Sequence, residues 1–162
     1  MIRGKVWKYG KNVDTEEIYP GRYLVHFEPQ EVAKHAMEDI DPKFAQRVKA
    51  GDIIVAGHNF GCGSAREQAA MTLKYAQVGA IVADSISRAF YRNAVNNGLP
   101  VLAMEGISEQ VNEGDELEVD LESGVIANLT TGAKWQTKPA PKLILDIISM
   151  DGAIAYYKKT LK

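Results

Sequence analysis

The sequence predicts an α/β fold, with a parallel sheet flanked by helices and joined to an antiparallel meander. Three observations predict it. Short apolar runs at 53–56, 80–83 and 100–104 alternate with helical stretches at 66–77 and 87–96. Apolar runs of this length, bounded by turn residues, suit strands buried on both faces, as in parallel sheets. Beyond Gly106 the pattern changes. Glu116-Leu117-Glu118-Val119-Asp120-Leu121 alternates strictly, the mark of a half-exposed strand. Ser123-Gly124 and Thr131-Gly132 then turn the chain into 125–130 and 133–137, which makes an antiparallel meander.

Taken in order, 2–9 reads as a short strand with Val6 and Trp7 inside, closed by a Gly10-Lys11-Asn12 turn. Residues 13–21 are polar with few burial signals and end at Pro20-Gly21, a turn dipeptide. Residues 22–28 hold Tyr23, Leu24, Val25 and Phe27 without clean alternation. Pro29 suits the first turn of a helix through Met37, and Asp41-Pro42 opens a second helix to Lys49. A short helix is expected over 107–112. Pro139 and Pro141 break the chain. Helical spacing then runs over 142–161 through Leu145, Ile148, Ile154, Tyr157 and Leu161, interrupted at Asp151-Gly152. No linker forces a division, so a single domain over 1–162 is expected.

A chain of 162 residues buries about two thirds of its unfolded surface. Its 46% hydrophobic and 25% charged content is ordinary for a globular protein. A net charge of -2 without a basic stripe argues against a nucleic-acid partner. No apolar run approaches the ~18–20 residues of a membrane span, and residues 1–5 lack the apolar core of a signal peptide. The cytoplasm is the expected location. The single cysteine, Cys62, cannot form an internal disulfide or hold a cysteine-ligated cluster alone. His26, His35 and His58 show no metal-ligand spacing, so no metal site is expected on this chain.

The densest chemistry lies at Gly57-His58-Asn59-Phe60-Gly61-Cys62-Gly63-Ser64-Ala65-Arg66-Glu67, between a strand and a helix. Ligands of open α/β sheets bind at the carboxyl ends of strands, where this loop falls. Ser64 and Glu67 have the spacing of a capping box, which would set the hydroxyl at a helix mouth that favours anions. Arginine is suited to bidentate carboxylate capture, and a hydroxyl beside Arg66 is suited to proton transfer. An anionic, carboxylate substrate follows. Other readings compete. The loop departs from a dinucleotide fingerprint at Arg66 and lacks the Lys-Ser/Thr of a Walker loop. Cys62 near a helix N-terminus could be a low-pKa nucleophile, with His58 as the nearest base. A glycine-rich turn carrying a capping serine and a surface arginine remains the plainest alternative.

The segment Gly57 to Ala70 resembles the signature of the aconitase swivelling-domain family. The chain as a whole resembles the family's free-standing small subunits of isopropylmalate isomerase. Two further segments carry the likeness: Asn12-Val13-Asp14-Thr15-Glu16-Glu17-Ile18-Tyr19-Pro20, and Ser87 to Ala94 with Asn97-Gly98-Leu99-Pro100. The resemblance implies a three-layer β/β/α swivelling domain. It implies a separate large subunit bearing a 4Fe-4S cluster, with no cofactor on this chain, and a small dicarboxylate substrate. It implies Ser64 as the catalytic base and Arg66 as the carboxylate-binding arginine. Asp14, Thr15, Glu16, Asn59 and Gly63 are implied as substrate-binding positions. Ala65 stands where aconitases have a second serine, and Glu16 stands where the early motif usually has aspartate. Self-association of the isolated chain is left open.

The resemblance also bears on specificity. Aconitase-like and homoaconitase-like relatives place an arginine after the early motif to hold a third carboxylate. Here Leu24 and Val25 offer an apolar wall, which suits an isopropyl group. The alternatives are that these two are core residues, and that Arg22 takes a carboxylate. The expected reaction is interconversion of 2-isopropylmalate and 3-isopropylmalate by dehydration and rehydration. The runners-up are a homoaconitase or broad hydroxy-diacid hydro-lyase small subunit, and a non-catalytic anion-binding module with Cys62 as a redox-sensitive thiol. His35 is expected at the surface, and Arg88 and Arg92 share one helix face.

Overall fold

The computed structural model describes residues 1–161. Its strands are β1 (Ile2–Lys8), β2 (Ile53–Ala56), β3 (Ala80–Ala83), β4 (Val101–Ala103), β5 (Glu116–Asp120), β6 (Val125–Asn128) and β7 (Lys134–Gln136). They form one hydrogen-bonded sheet in the order β4-β3-β2-β1-β5-β6-β7. The β1–β4 half is parallel, with Val6 opposite Ile53, Ile53 opposite Ala80 and Ile81 opposite Val101. The β5–β7 half is the antiparallel meander, hung on the other edge of β1 with Gly4 opposite Leu117.

The helices are α1 (Thr15–Ile18), α2 (Pro29–Ala33), α3 (Phe44–Arg47), α4 (Glu67–Tyr75), α5 (Arg88–Asn96), α6 (Ile107–Gln110), α7 (Lys142–Ser149) and α8 (Ala153–Thr160). The strand period of two explains why β2 and β3 are apolar throughout. Ile54, Ala56, Ile81 and Ala83 face a core built with Ala69, Ala70 and Leu73 of α4 and Phe90 and Ala94 of α5. Ile53, Val55, Ala80 and Val82 face a second core with Leu117, Val119 and Ile126 of the curled meander. The layers are therefore meander, parallel sheet and helices, the β/β/α arrangement expected.

Several elements differ from expectation. The 13–21 segment is not solvated. It holds α1 and buries Val13, Thr15, Ile18 and Tyr19. The helix from Pro29 stops at Ala33 instead of Met37: the N–H groups of Lys34, His35 and Ala36 bond three residues back in successive turns, and Met37, left-handed at φ 60°, gives its N–H to the Ile18 carbonyl. The 42–49 helix shortens to α3 as Val48 turns extended. The helix read over 107–112 ends at Gln110. The last meander strands shorten because the Asn128 carboxamide oxygen accepts the N–H groups of Thr130 and Thr131 and holds them in a turn.

Candidate active site

Because β1 and β2 run parallel, the loops that follow them leave the same end of the sheet. The 10–15 segment zips onto the glycine-rich loop through backbone bonds. Asn12 donates to His58, Gly61 to Val13 and Thr15 to Cys62, at 2.7–2.9 Å. Side chains then tie the two together. The buried Thr15 hydroxyl donates to the Ser64 carbonyl at 2.7 Å. The Asp14 carboxylate caps α1 by accepting the Glu16 N–H at 2.8 Å. Gly63, at φ 88°, lets the loop pass that carboxylate, since a Cβ there would lie 2.4 Å from Asp14 Oδ2.

Arg66 is the best-anchored polar group of the loop. Its side chain is 18% exposed, and the guanidinium pairs with Glu16 and donates from Nη1 to the Tyr19 carbonyl at 3.1 Å. Glu16 also accepts the Gly21 N–H at 2.8 Å. That bond, and then Arg66, hold the Glu16 carboxyl below the usual carboxylate range. The structure thus brings Asp14, Thr15, Glu16, Gly63, Ser64 and Arg66 to one place. Ser64 presents an exposed side chain, with its backbone fixed from behind by Thr15. The first turn of α4 has no side-chain cap, so its free N–H groups stand ready for an anion.

The expected capping box does not form. Helix α4 begins at Glu67 with Arg66 in the capping position, and Gly63 and the Thr15 bond keep the Ser64 backbone outside the helix. Cys62 is not activated either. Burial, then the nearby Asp14 carboxylate, push its thiol pKa up, so it is a protonated thiol at neutral pH. His58 pairs instead with Glu105 at 2.8 Å. Asn59, left-handed at φ 63°, binds Ser85 Oγ through its N–H and reaches Asn12 Oδ1 at 3.3 Å. It clasps two loops together.

The 22–28 segment is held at its base. Arg22 forks onto Asp39 at 2.8 and 3.2 Å and is thereby taken up. Tyr23 stacks on His35 at 3.6 Å, and both bond Glu38, which places His35 in a half-buried stack instead of free on the surface. Beyond this anchor Leu24 is half-buried and Val25 is 78% exposed, so Val25 is no core residue. Sequence reasoning missed Tyr19 and Gly21 as parts of the arginine clamp. The apolar Ile18-Tyr19 pair before Pro20-Gly21 was the available signal.

The sequence model of the Aconitase C-terminal domain family matches residues 11–106, which contain every residue of this loop cluster. The chain belongs to this family. Among its relatives, a 3-isopropylmalate dehydratase small subunit 1 of Thermotoga maritima is 53% identical over 98% of this chain and 96% of the relative. A methanogen homoaconitase small subunit of Methanothermobacter thermautotrophicus is 51% identical over 99% of this chain and 93% of the relative. A crystal structure of 3-isopropylmalate dehydratase from Methanocaldococcus jannaschii superposes with a TM-score of 0.91 at 40% identity, covering 98% of this chain and 93% of that one. Among the described residues no group of three or more His, Cys, Asp or Glu side chains is placed to hold a metal. No helix among them is long and apolar enough to cross a membrane.

Proposed function

We propose that the chain, as one swivelling domain over 1–162, is the small subunit of a 3-isopropylmalate dehydratase. The complex interconverts 2-isopropylmalate and 3-isopropylmalate in leucine biosynthesis. The observation that carries this reading is the pairing on one loop of an exposed serine with an anchored arginine, at the strand ends where the early Asp14-Thr15-Glu16 motif also arrives. Ser64 Oγ, as the alkoxide, takes the carbon-bound proton. The proton taken by Ser64 and the departing substrate hydroxyl together make one water and leave an alkene diacid, and returning that proton and hydroxyl to the opposite carbons gives the isomer. Arg66 binds a substrate carboxylate and steadies the alkoxide by its charge. Asp14, Thr15, Gly63 and Asn59 hold the loop that presents both groups.

The donor set here does not fit an iron-sulfur cluster. One half-buried protonated thiol is the only cysteine. The 4Fe-4S cluster of this reading belongs to the large subunit. The cytoplasm suits a chain with one unpaired cysteine. Similar identity to a dehydratase and to a homoaconitase leaves specificity to the residues. Exposed Val25 beside Leu24 gives an apolar wall with no added arginine, which favours isopropylmalate over a tricarboxylate. Turnover by the assembled complex tests the reading, comparing isopropylmalate with homocitrate. Preference for isopropylmalate supports it, and preference for homocitrate overturns it in favour of the homoaconitase reading.

A further inference from the structure

We propose that Glu16 is a positioning residue for Arg66, acting together with the Tyr19 carbonyl and the Gly21 backbone, and that it does not touch substrate. This rests on the reading of Arg66 as the carboxylate-binding residue. The geometry has three parts. First, both contacts to the arginine, the Glu16 carboxylate and the Tyr19 carbonyl, fall on Nη1. A guanidinium offers its side-on fork through Nε–H and Nη2–H, which lie parallel on the opposite edge from Nη1. Fixing Nη1 therefore orients the charge and leaves the bidentate edge for a ligand carboxylate.

Second, Glu16 is itself held. It sits in the first turn of α1, whose N-terminus is capped by Asp14, and its Oε1 accepts the Gly21 N–H. A carboxylate tied at both ends is a fixed counter-ion, unlike an exposed side chain searching for a partner. Third, residue 21 has no room for a side chain without touching this pair. A Cβ there would meet Glu16 Oε2 at 3.2 Å and Arg66 Nη2 at 3.4 Å. The first is tight, so the flexible Glu16 carboxylate must give by a few tenths of an ångström, while the second is ordinary contact. Gly21 lies in a short 3₁₀ turn that alanine also adopts, so Gly21→Ala nudges the Glu16 end of the clamp while the fold is kept.

The longer side chain at position 16 then has a purpose. It must reach both the Gly21 N–H and the guanidinium, and a tether of that length keeps its carboxylate on Nη1, away from the side-on edge.

The test uses the assembled two-subunit complex and steady-state kinetics on isopropylmalate. Losing one charge-assisted anchor of Arg66 is expected to raise KM about tenfold in Glu16→Ala, with a smaller fall in kcat. Glu16→Gln, which keeps the acceptor for Gly21 but loses the charge, falls between. Gly21→Ala raises KM in the same direction with an unchanged melting temperature. In the isolated chain, the Arg66 guanidinium protons resolve by NMR at low temperature in the wild type and average in Glu16→Ala. Unchanged KM in all three variants of an active complex, or guanidinium signals identical in wild type and Glu16→Ala, overturns the proposal. A wild-type complex inactive on isopropylmalate would instead overturn the functional reading, and the NMR arm still decides the role of Glu16.

Discussion

Gly63→Ala is the sharpest perturbation of the loop. Gly63 sits at φ 88°, a region that costs an L-residue about 1–2 kcal/mol. The new Cβ would lie 2.4 Å from Asp14 Oδ2 and 2.7 Å from its Cγ, closer than atoms can approach. The carboxylate must rotate away, and in doing so it gives up the Glu16 N–H it accepts at 2.8 Å. Loss of such a helix cap costs about 1 kcal/mol. The two terms sum to about 2–3 kcal/mol, which for a chain of this size lowers the melting temperature by about 5–10 °C. Calorimetry of the isolated chain measures it. Activity of the complex falls further than stability, because the Ser64 backbone follows Gly63. A melting temperature within about 1 °C of wild type together with unchanged turnover would refute the reasoning.

Three other perturbations have defined outcomes. Thr15→Val removes the buried hydroxyl that donates to the Ser64 carbonyl at 2.7 Å, and costs about 1–2 kcal/mol in urea titration with a drop in kcat. Glu16 has a folded pKa lowered by the Gly21 N–H and Arg66, so the native state binds fewer protons than the unfolded chain in acid. Its contribution is full above the ordinary glutamate value of about 4.3 and is lost as pH falls through the lowered value, so wild type loses stability with acid more steeply than Glu16→Gln. Val25→Arg, at a site 78% exposed on the anchored 22–28 segment, is expected to raise the rate on homocitrate relative to isopropylmalate by about tenfold, read by paired kcat/KM measurements.

The parallel strands were legible because each is a local apolar run whose two faces are both buried, as Ile53–Ala56 and Ala80–Ala83 show. The meander was legible from alternation at Glu116–Asp120, where one face is buried and one is not. The 13–21 segment was not legible as core. Its buried residues, Val13, Thr15, Ile18 and Tyr19, follow no single period, because the chain changes from an extended bridge beside Cys62 to one turn of helix within them. The candidate pair Ser64 and Arg66 stands out in the sequence as a motif, but the contacts that support it do not. The Thr15 and Glu16 contacts join positions about fifty apart in sequence, and local spacing carries no information on them. The Ser64–Glu67 spacing misled for the opposite reason. A local rule was overridden by a tertiary bond to the Ser64 carbonyl and a left-handed glycine before it. The low-pKa alternative for Cys62 fails on similar grounds, since its thiol is governed by burial and Asp14 and not by the helix that follows.

The central claim is that this chain contributes the base of a dehydratase completed by a large subunit. The most direct measurement is turnover of isopropylmalate by the purified complex carrying Ser64→Ala, with complex formation checked by size-exclusion chromatography. The account predicts an intact complex whose kcat has fallen by a factor of ~10² or more. An intact complex turning over at the wild-type rate would contradict it.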